Sequence, residues 1–267
     1  MTDILNQLAA HARERVAAAE QKLSKEALQD RALSLPADTG RQTGFSFERA
    51  LSRPDGDIAF LCECKKASPS KGLIAPEFPY LQIAEEYAAA GADAVSVLTE
   101  PKWFLGSDAY LQEIAAHISL PCLRKDFTVD DYMIYEAKVL GASAVLLICS
   151  LLDDGTLRSY MDTAQRLGLS VLTEAHDETE VRRAIRAGAR IIGVNNRNLR
   201  DFTVSMENSQ RLRSLVPPDI LFVAESGIST PEDVDAMRSI GADAVLVGEA
   251  LMRAPDKTAA LRKLKGI

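Results

Sequence analysis

Five ionisable residues stand where short apolar runs end: Glu63 and Lys65 at the close of 58–63, Lys125 at the close of 120–125, Glu174 of 169–174 and Glu225 of 220–225. Glu63 and Lys65 are two apart, so on a strand they share one face. Two lysines and three carboxylates brought together would be costly to bury unless paired, and such mixtures are where pKa values are pushed toward catalytic use. Strand-end charges also serve solubility, which suffices for any one of these residues but less well for four runs in step.

A second signal follows the last two runs, where Ser226 and Gly227, then Gly248 and Glu249, place small residues whose backbone N–H groups could meet a phosphate. Glu249 should avoid such an anion. As the first residue of a helix, it could turn its carboxylate away while its N–H points inward. Elsewhere, Asn195 could donate to a substrate hydroxyl, and Arg197 could either fork onto a carboxylate or sit in a polar surface turn. The stretch 66–79, with Ser68, Gly72 and Pro76, is long for a strand-to-helix loop and reads as a binding loop or lid hinged at Gly72, or as a stiff surface loop. Of the three histidines, His11 falls on an N-terminal helix and His117 near a helix end. Only His176 could approach the charged group, and a structural or supporting place is expected for it.

The elements that must position these residues show in a repeat. A Gly-Ala pair followed by an apolar run recurs at Gly91, Gly141, Gly188 and Gly241, with a period of about fifty residues. Each copy reads as a helix-ending glycine at positive φ leading into a strand covered on both faces. Together with the four runs named first, this makes eight strands. Amphipathic stretches at 80–90, 130–140, 179–187 and 231–240 read as helices between them, the last with Pro231 in its first turn. Strand–helix alternation over about 200 residues predicts an α/β protein built as a closed (β/α)8 (TIM) barrel, whose C-terminal strand ends carry the active site. No Gly-x-Gly-x-x-Gly follows a strand, which counts against a dinucleotide fold.

One domain spanning 1–267 is expected, with residues 1–50 as a helical extension packed on the barrel by Ile4, Leu8, Ala12, Val16, Ala19 and Leu23, and a connector at 32–44. The net charge of −7 argues against nucleic acid or anionic membranes as partners. No run is long enough to span a bilayer and no secretory signal is evident, so a cytoplasmic protein is expected, as a monomer or weak homo-oligomer. Cys62, Cys64, Cys122 and Cys149 lack Cys-x-x-Cys spacing and read as buried hydrophobes; zinc at Cys62 and Cys64 is the sharper but weaker alternative, with no histidine nearby.

At these residues the chain resembles the indole-3-glycerol phosphate synthase family. The resemblance runs over nearly the whole chain, most specifically through Glu63-Cys-Lys65-Lys-Ala-Ser68-Pro-Ser-Lys-Gly72 and Leu123-Arg-Lys125-Asp-Phe127, and also through Leu98-Thr-Glu100 with Phe104-x-Gly106, 193–199, 224–228 and 248–252. It implies ring closure, decarboxylation and dehydration of a phosphorylated substrate, 1-(2-carboxyphenylamino)-1-deoxyribulose 5-phosphate, with no cofactor and no metal.

The family pattern makes Lys125, with a lowered pKa, the acid that protonates the ketone oxygen. Lys65 contacts the substrate carboxylate and serves as acid when the hydroxyl leaves, Glu63 takes the ring proton, and Glu174 stabilises cationic intermediates or relays protons. Asn195 binds a ribulosyl hydroxyl, Arg197 and Ser68 recognise the carboxylate end, and Phe127 forms an apolar wall. Glu225 and Ser226 line the pocket, while Gly227, Gly248 and the backbone of Glu249 hold the phosphate. Asn198, where aspartate is expected, the neighbours Thr173 and Ala175 of Glu174, and Cys64 depart from the pattern. Competing readings are a phosphoribosylanthranilate isomerase, an aldolase with Lys125 as Schiff base, and a sugar-phosphate sensor without catalysis.

Overall fold

The computed structural model describes residues 4–37, 45–52, 57–198 and 201–267. Among these, eight parallel strands close into a barrel: β1 (Ala59–Cys64), β2 (Ala94–Leu98), β3 (Cys122–Lys125), β4 (Ala144–Ile148), β5 (Ser170–Ala175), β6 (Ile191–Asn195), β7 (Leu221–Glu225) and β8 (Ala244–Val247). Each strand pairs with its sequence neighbours, and β8 pairs with β1. Closure leaves no sheet edge, and helices cover the outside, so nearly every strand residue is buried. That double burial is why the strands read as continuous apolar runs instead of alternating ones.

The repeat has a physical explanation at both ends of the strand it announces. Gly91, Gly141, Gly188 and Gly241 all adopt φ between +75° and +92°, reversing the chain at the end of the preceding helix. In two copies the following aspartate then ties the barrel bottom: Asp93 accepts the N–H of Phe60 at 2.8 Å, and Asp243 that of Phe222 at 2.7 Å.

The expected helices are α4 (Tyr80–Ala89), α6 (Tyr132–Val139), α8 (Glu178–Ala187) and α10 (Pro231–Ser239). The last opens with Pro231 behind a reciprocal Thr230–Asp233 capping box. Helices α5 (Asp108–His117), α7 (Asp154–Arg166), α9 (Glu207–Arg213), α11 (Glu249–Arg253) and α12 (Lys257–Lys265) complete the outer layer. No described helix is long and apolar enough to cross a membrane.

Ahead of the barrel the single expected helix is three: α1 (Ile4–Glu20), α2 (Lys25–Ser34) and α3 (Ser46–Leu51). The expected connector at 32–44 is corrected at its start, because α2 buries Leu28 and Ala32 and so runs on to Ser34; residues 38–44 lie outside those described. The predicted stripe does face the core, with Leu8, Ala12 and Val16 buried, but Leu23 falls in the turn beyond α1. α1 is also anchored by charge. Arg15 forks onto Asp126 at 2.6 and 3.0 Å, and His11 meets Glu100 at 3.1 Å while stacking edgewise on Trp103.

Candidate active site

The C-terminal ends of the strands open into a cavity of about 570 Å³ lined by every candidate residue from Glu63 to Glu249. The roof is supplied by Ile4, Leu5 and Leu8 of α1 and by the segment after β1. That segment folds back as a short antiparallel ladder, Ala67–Ser68 against Gly72–Leu73, with Gly72 at φ +62° at its turn. One wall is aromatic, because Phe127 packs against Phe104 with ring centroids 5.9 Å apart.

The ionisable residues divide into two sets. In the first, Lys65 Nζ donates to Glu63 Oε1 at 2.6 Å, and Ser96 donates to the other oxygen of Glu63 at 3.3 Å. In the second, Lys125 Nζ lies between Glu174 at 2.9 Å and Glu225 at 3.1 Å, while Asn195 Nδ2 donates to Glu174 Oε1 at 3.1 Å. Glycine makes room for both: a Cβ at Gly248 would stand 2.6 Å from Glu63 Oε1 and 3.1 Å from Lys65 Nζ, and one at Gly193 would overlap Glu225 Oε1.

These contacts set the charges. Burial opposes the charge on Lys125, but Glu174, Glu225 and Glu63 outweigh it and raise the ammonium above the usual lysine range. The expected lowering is thus corrected: three carboxylates surround this lysine where a lowered pKa needs an apolar or cationic setting. Glu174 is also buried, yet Lys125 and His176 hold its carboxyl well below the usual range. Glu225 goes the other way, to about 7, because burial and the neighbouring Glu174 charge exceed the pull of Lys125. One lysine cannot fully compensate two buried carboxylates.

The residues expected to receive a phosphate also meet in the cavity. Ser226 has φ +65° and Gly227 φ +88°, turning the chain sharply after β7, and the Ser226 carbonyl accepts from Asn196 Nδ2 at 3.1 Å. Glu249 begins α11, as expected; its carboxylate accepts from Arg253 Nε at 3.1 Å and stands 3.6 Å from Lys71 Nζ. Arg197 is held through its backbone N–H, which donates to Asn195 Oδ1 at 3.0 Å, and its guanidinium donates to the Phe202 carbonyl at 3.4 Å. Ser68 is buried at the rim.

Asn198, which departs from the family pattern, is fastened by its main chain to Thr203 and Phe202 at 2.8 Å. Cys62 and Cys64, beside Glu63, are fully buried thiols raised by that burial, and Cys122 and Cys149 are likewise buried and free.

Sequence reading missed three supports. Asp126 accepts from Arg15, Thr99 and the Phe127 N–H, fixing the backbone next to Lys125. Glu100 accepts three backbone N–H groups, from Lys102, Trp103 and Phe104, and so shapes the loop that carries Phe104. Both stand in stretches that carry the family resemblance, without an assigned role there. The third, Phe104, stood in a recognised stretch without an assigned role.

A family model for indole-3-glycerol phosphate synthase matches residues 5–264. The chain is 55% identical over 263 residues to the indole-3-glycerol phosphate synthase of Ruminiclostridium cellulolyticum, covering 98% of this chain and 99% of that one. It is 47% identical to that of Lactiplantibacillus plantarum over 94% and 96% of the two chains. Among solved structures, 3-hexulose-6-phosphate synthase from Salmonella typhimurium matches with TM-score 0.65 at 17% identity, covering 78% of this chain and 97% of that one. That likeness speaks for the barrel alone.

Proposed function

The chain belongs to the indole-3-glycerol phosphate synthase family, and from that premise we propose how its mouth closes, decarboxylates and dehydrates 1-(2-carboxyphenylamino)-1-deoxyribulose 5-phosphate to indole-3-glycerol phosphate, the carboxy-lyase step of tryptophan biosynthesis. The observation that carries the proposal is the division of one cavity into two acid–base sets, Glu63 with Lys65 and Lys125 with Glu174 and Glu225. The reaction has two stages that each need a proton placed.

In the first stage the aromatic carbon bearing the carboxylate attacks the ketone, and Lys125 gives its proton to the carbonyl oxygen while its charge steadies the developing oxyanion. Departure of CO2 restores the aromatic ring. In the second, Glu63 takes a proton from the new five-membered ring as Lys65 gives one to the leaving hydroxyl. Because these two side chains share a hydrogen bond, the proton taken by Glu63 returns directly to Lys65.

Glu174 keeps Lys125 charged and stabilises cationic intermediates; Asn195, fixed on Glu174, binds a ribulosyl hydroxyl. Arg197, Ser68 and Lys65 recognise the carboxylate end, and Phe127 walls the aromatic ring. Glu225 and Ser226 line the sugar side, and the backbone at Gly227, Gly248 and Glu249 receives the phosphate. A cytoplasmic setting and a monomer or weak homo-oligomer accompany this reading. The test is to incubate protein and substrate and measure CO2 and indole-3-glycerol phosphate together. Equal amounts of both support the proposal, and CO2 without the indole product, or neither, contradicts it.

A further inference from the structure

Beside the mouth lies a second cavity of about 970 Å³, open to solvent and lined, apart from Leu5 of α1, by polar residues at and after the ends of β4, β5 and β6, including Glu180 of α8 and Glu207 and Arg211 of α9. Glu174 lines the mouth but not this lateral cavity, whereas His176 and Glu180 line the lateral cavity but not the mouth. Leu5, Asn195 and Arg197 line both spaces, and across that shared wall His176 Nε2 stands 3.3 Å from Glu174 Oε1. On its other side, His176 Nδ1 lies 3.0 Å from Glu180 Oε2, which also accepts the His176 backbone N–H at 2.8 Å. Lys125, Glu174, His176 and Glu180 therefore form a series of alternating charge from the mouth to the lateral cavity, hydrogen-bonded at both ends and joined in the middle by the His176–Glu174 ion pair, where the buried Nε2 has no aligned hydrogen bond.

The proposed reaction needs such a series at one step. Dehydration is balanced within the Glu63–Lys65 pair. Ring closure is not, because the attacking carbon loses CO2 in place of a proton, so nothing released from the ring replaces the proton that Lys125 has given. Each turnover on an ionised carboxylate takes one proton from solvent. A substrate seated in the mouth stands between Lys125, already 13% exposed, and bulk water.

We infer that His176 is a proton-relay residue that recharges Lys125 through Glu174 from the lateral cavity. The inference rests on the assignment of Lys125 as the acid of ring closure. His176 gives its Nε2 proton to the Glu174 carboxylate, and the carboxyl group, after rotating, gives that proton to the neutral Lys125 amine. The neutral imidazole keeps its Nδ1 proton on Glu180; its ring swings outward so that the vacated Nε2 takes a proton from water of the lateral cavity, then swings back to the Glu174 side.

One proton enters and one is consumed. The groups facing His176 suit it to this task. Burial opposes its charge, but Glu174 from β5 and Glu180 from α8 raise it to about 10, so the ring is loaded at neutral pH. Lys125 of β3 stands behind Glu174, and Asp177, Arg197, Glu207 and Arg211 lie further out around the lateral cavity.

The experiment compares kcat against pH for wild type and His176→Gln, with and without added imidazole, and follows the His176 ring by NMR titration in wild type and Glu174→Gln. Expected are a roughly tenfold fall in kcat at pH 8 with KM little changed, a deficit that narrows toward acid pH, and partial recovery with imidazole. In the titration, His176 stays charged above pH 8 in wild type and loses that elevation in Glu174→Gln. An unchanged kcat profile, or a loss that neither acid nor imidazole relieves, overturns the relay. So does a His176 titration indifferent to Glu174. Should wild type make no indole product, the functional reading fails, and the titration still decides the coupling by itself.

Discussion

Glu225 occupies the space where Gly193 would carry a side chain, so the β7 carboxylate reaches Lys125 only because the neighbouring strand has no Cβ at that point. Gly193→Ala should displace Glu225 without unfolding the barrel. Its neighbours on β6 are buried and well packed. The expected outcome is at least a tenfold loss in kcat with an unfolding midpoint lowered by a few degrees. Normal turnover would show that the placement of Glu225 is immaterial.

Glu225 also makes stability depend on pH. Its carboxyl is raised from 4.5 to about 7, so ionising it costs more in the folded protein than in the unfolded chain. Its contribution is therefore fully present below pH 4.5 and is lost as pH rises through 7. Glu225→Gln should match wild type in Tm near pH 4.5 and exceed it by roughly 3 °C or more at pH 8. A constant difference across that range would contradict the assignment of the raised carboxyl.

Arg15 and Asp126 join the N-terminal extension to the residue following Lys125. Asp126 is fully buried, so removing Arg15 leaves it only the more distant Arg124, at 4.0 Å, as a cation. Arg15→Ala should cost about 3 kcal/mol of stability and lower kcat at temperatures where the fold is intact. Urea unfolding alongside turnover measures both, and an unchanged midpoint would show that the ion pair contributes nothing.

Much of this architecture was legible because its signals are local. Gly91, Gly141, Gly188 and Gly241 mark helix ends by backbone conformation, and the uniformly apolar runs reflect burial on both faces. Glu63, Lys125, Glu174 and Glu225 were found because barrel strands deliver their last residues to one mouth. What stayed hidden depends on contacts distant in sequence. Arg15 on Asp126 spans 111 positions, and the direction of the Lys125 shift depends on Glu174 and Glu225, 49 and 100 residues away. The extension was misread as one helix because α2 buries few apolar residues, so its stripe is faint.

Asn198 marks a departure from the family pattern, but its main chain already fixes the turn through Thr203 and Phe202. Asn198→Asp should leave kcat/KM within about twofold, since a conservative exchange at a backbone-fastened turn is usually worth less than about 0.5 kcal/mol. Steady-state kinetics checks this, and a large gain would show that the aspartate side chain does chemistry there.

The central claim is that Lys125, held between Glu174 and Glu225, gives the proton that starts ring closure. The most direct test mixes wild type and Lys125→Ala separately with 1-(2-carboxyphenylamino)-1-deoxyribulose 5-phosphate, without added metal or cofactor, and records indole absorbance and fluorescence over time while substrate binding is measured by calorimetry. A growing indole signal is expected from wild type and a rate lower by about three orders of magnitude or more from the variant, with binding largely retained. Near-normal turnover by Lys125→Ala, or a flat trace from folded wild type that binds the substrate, would contradict it.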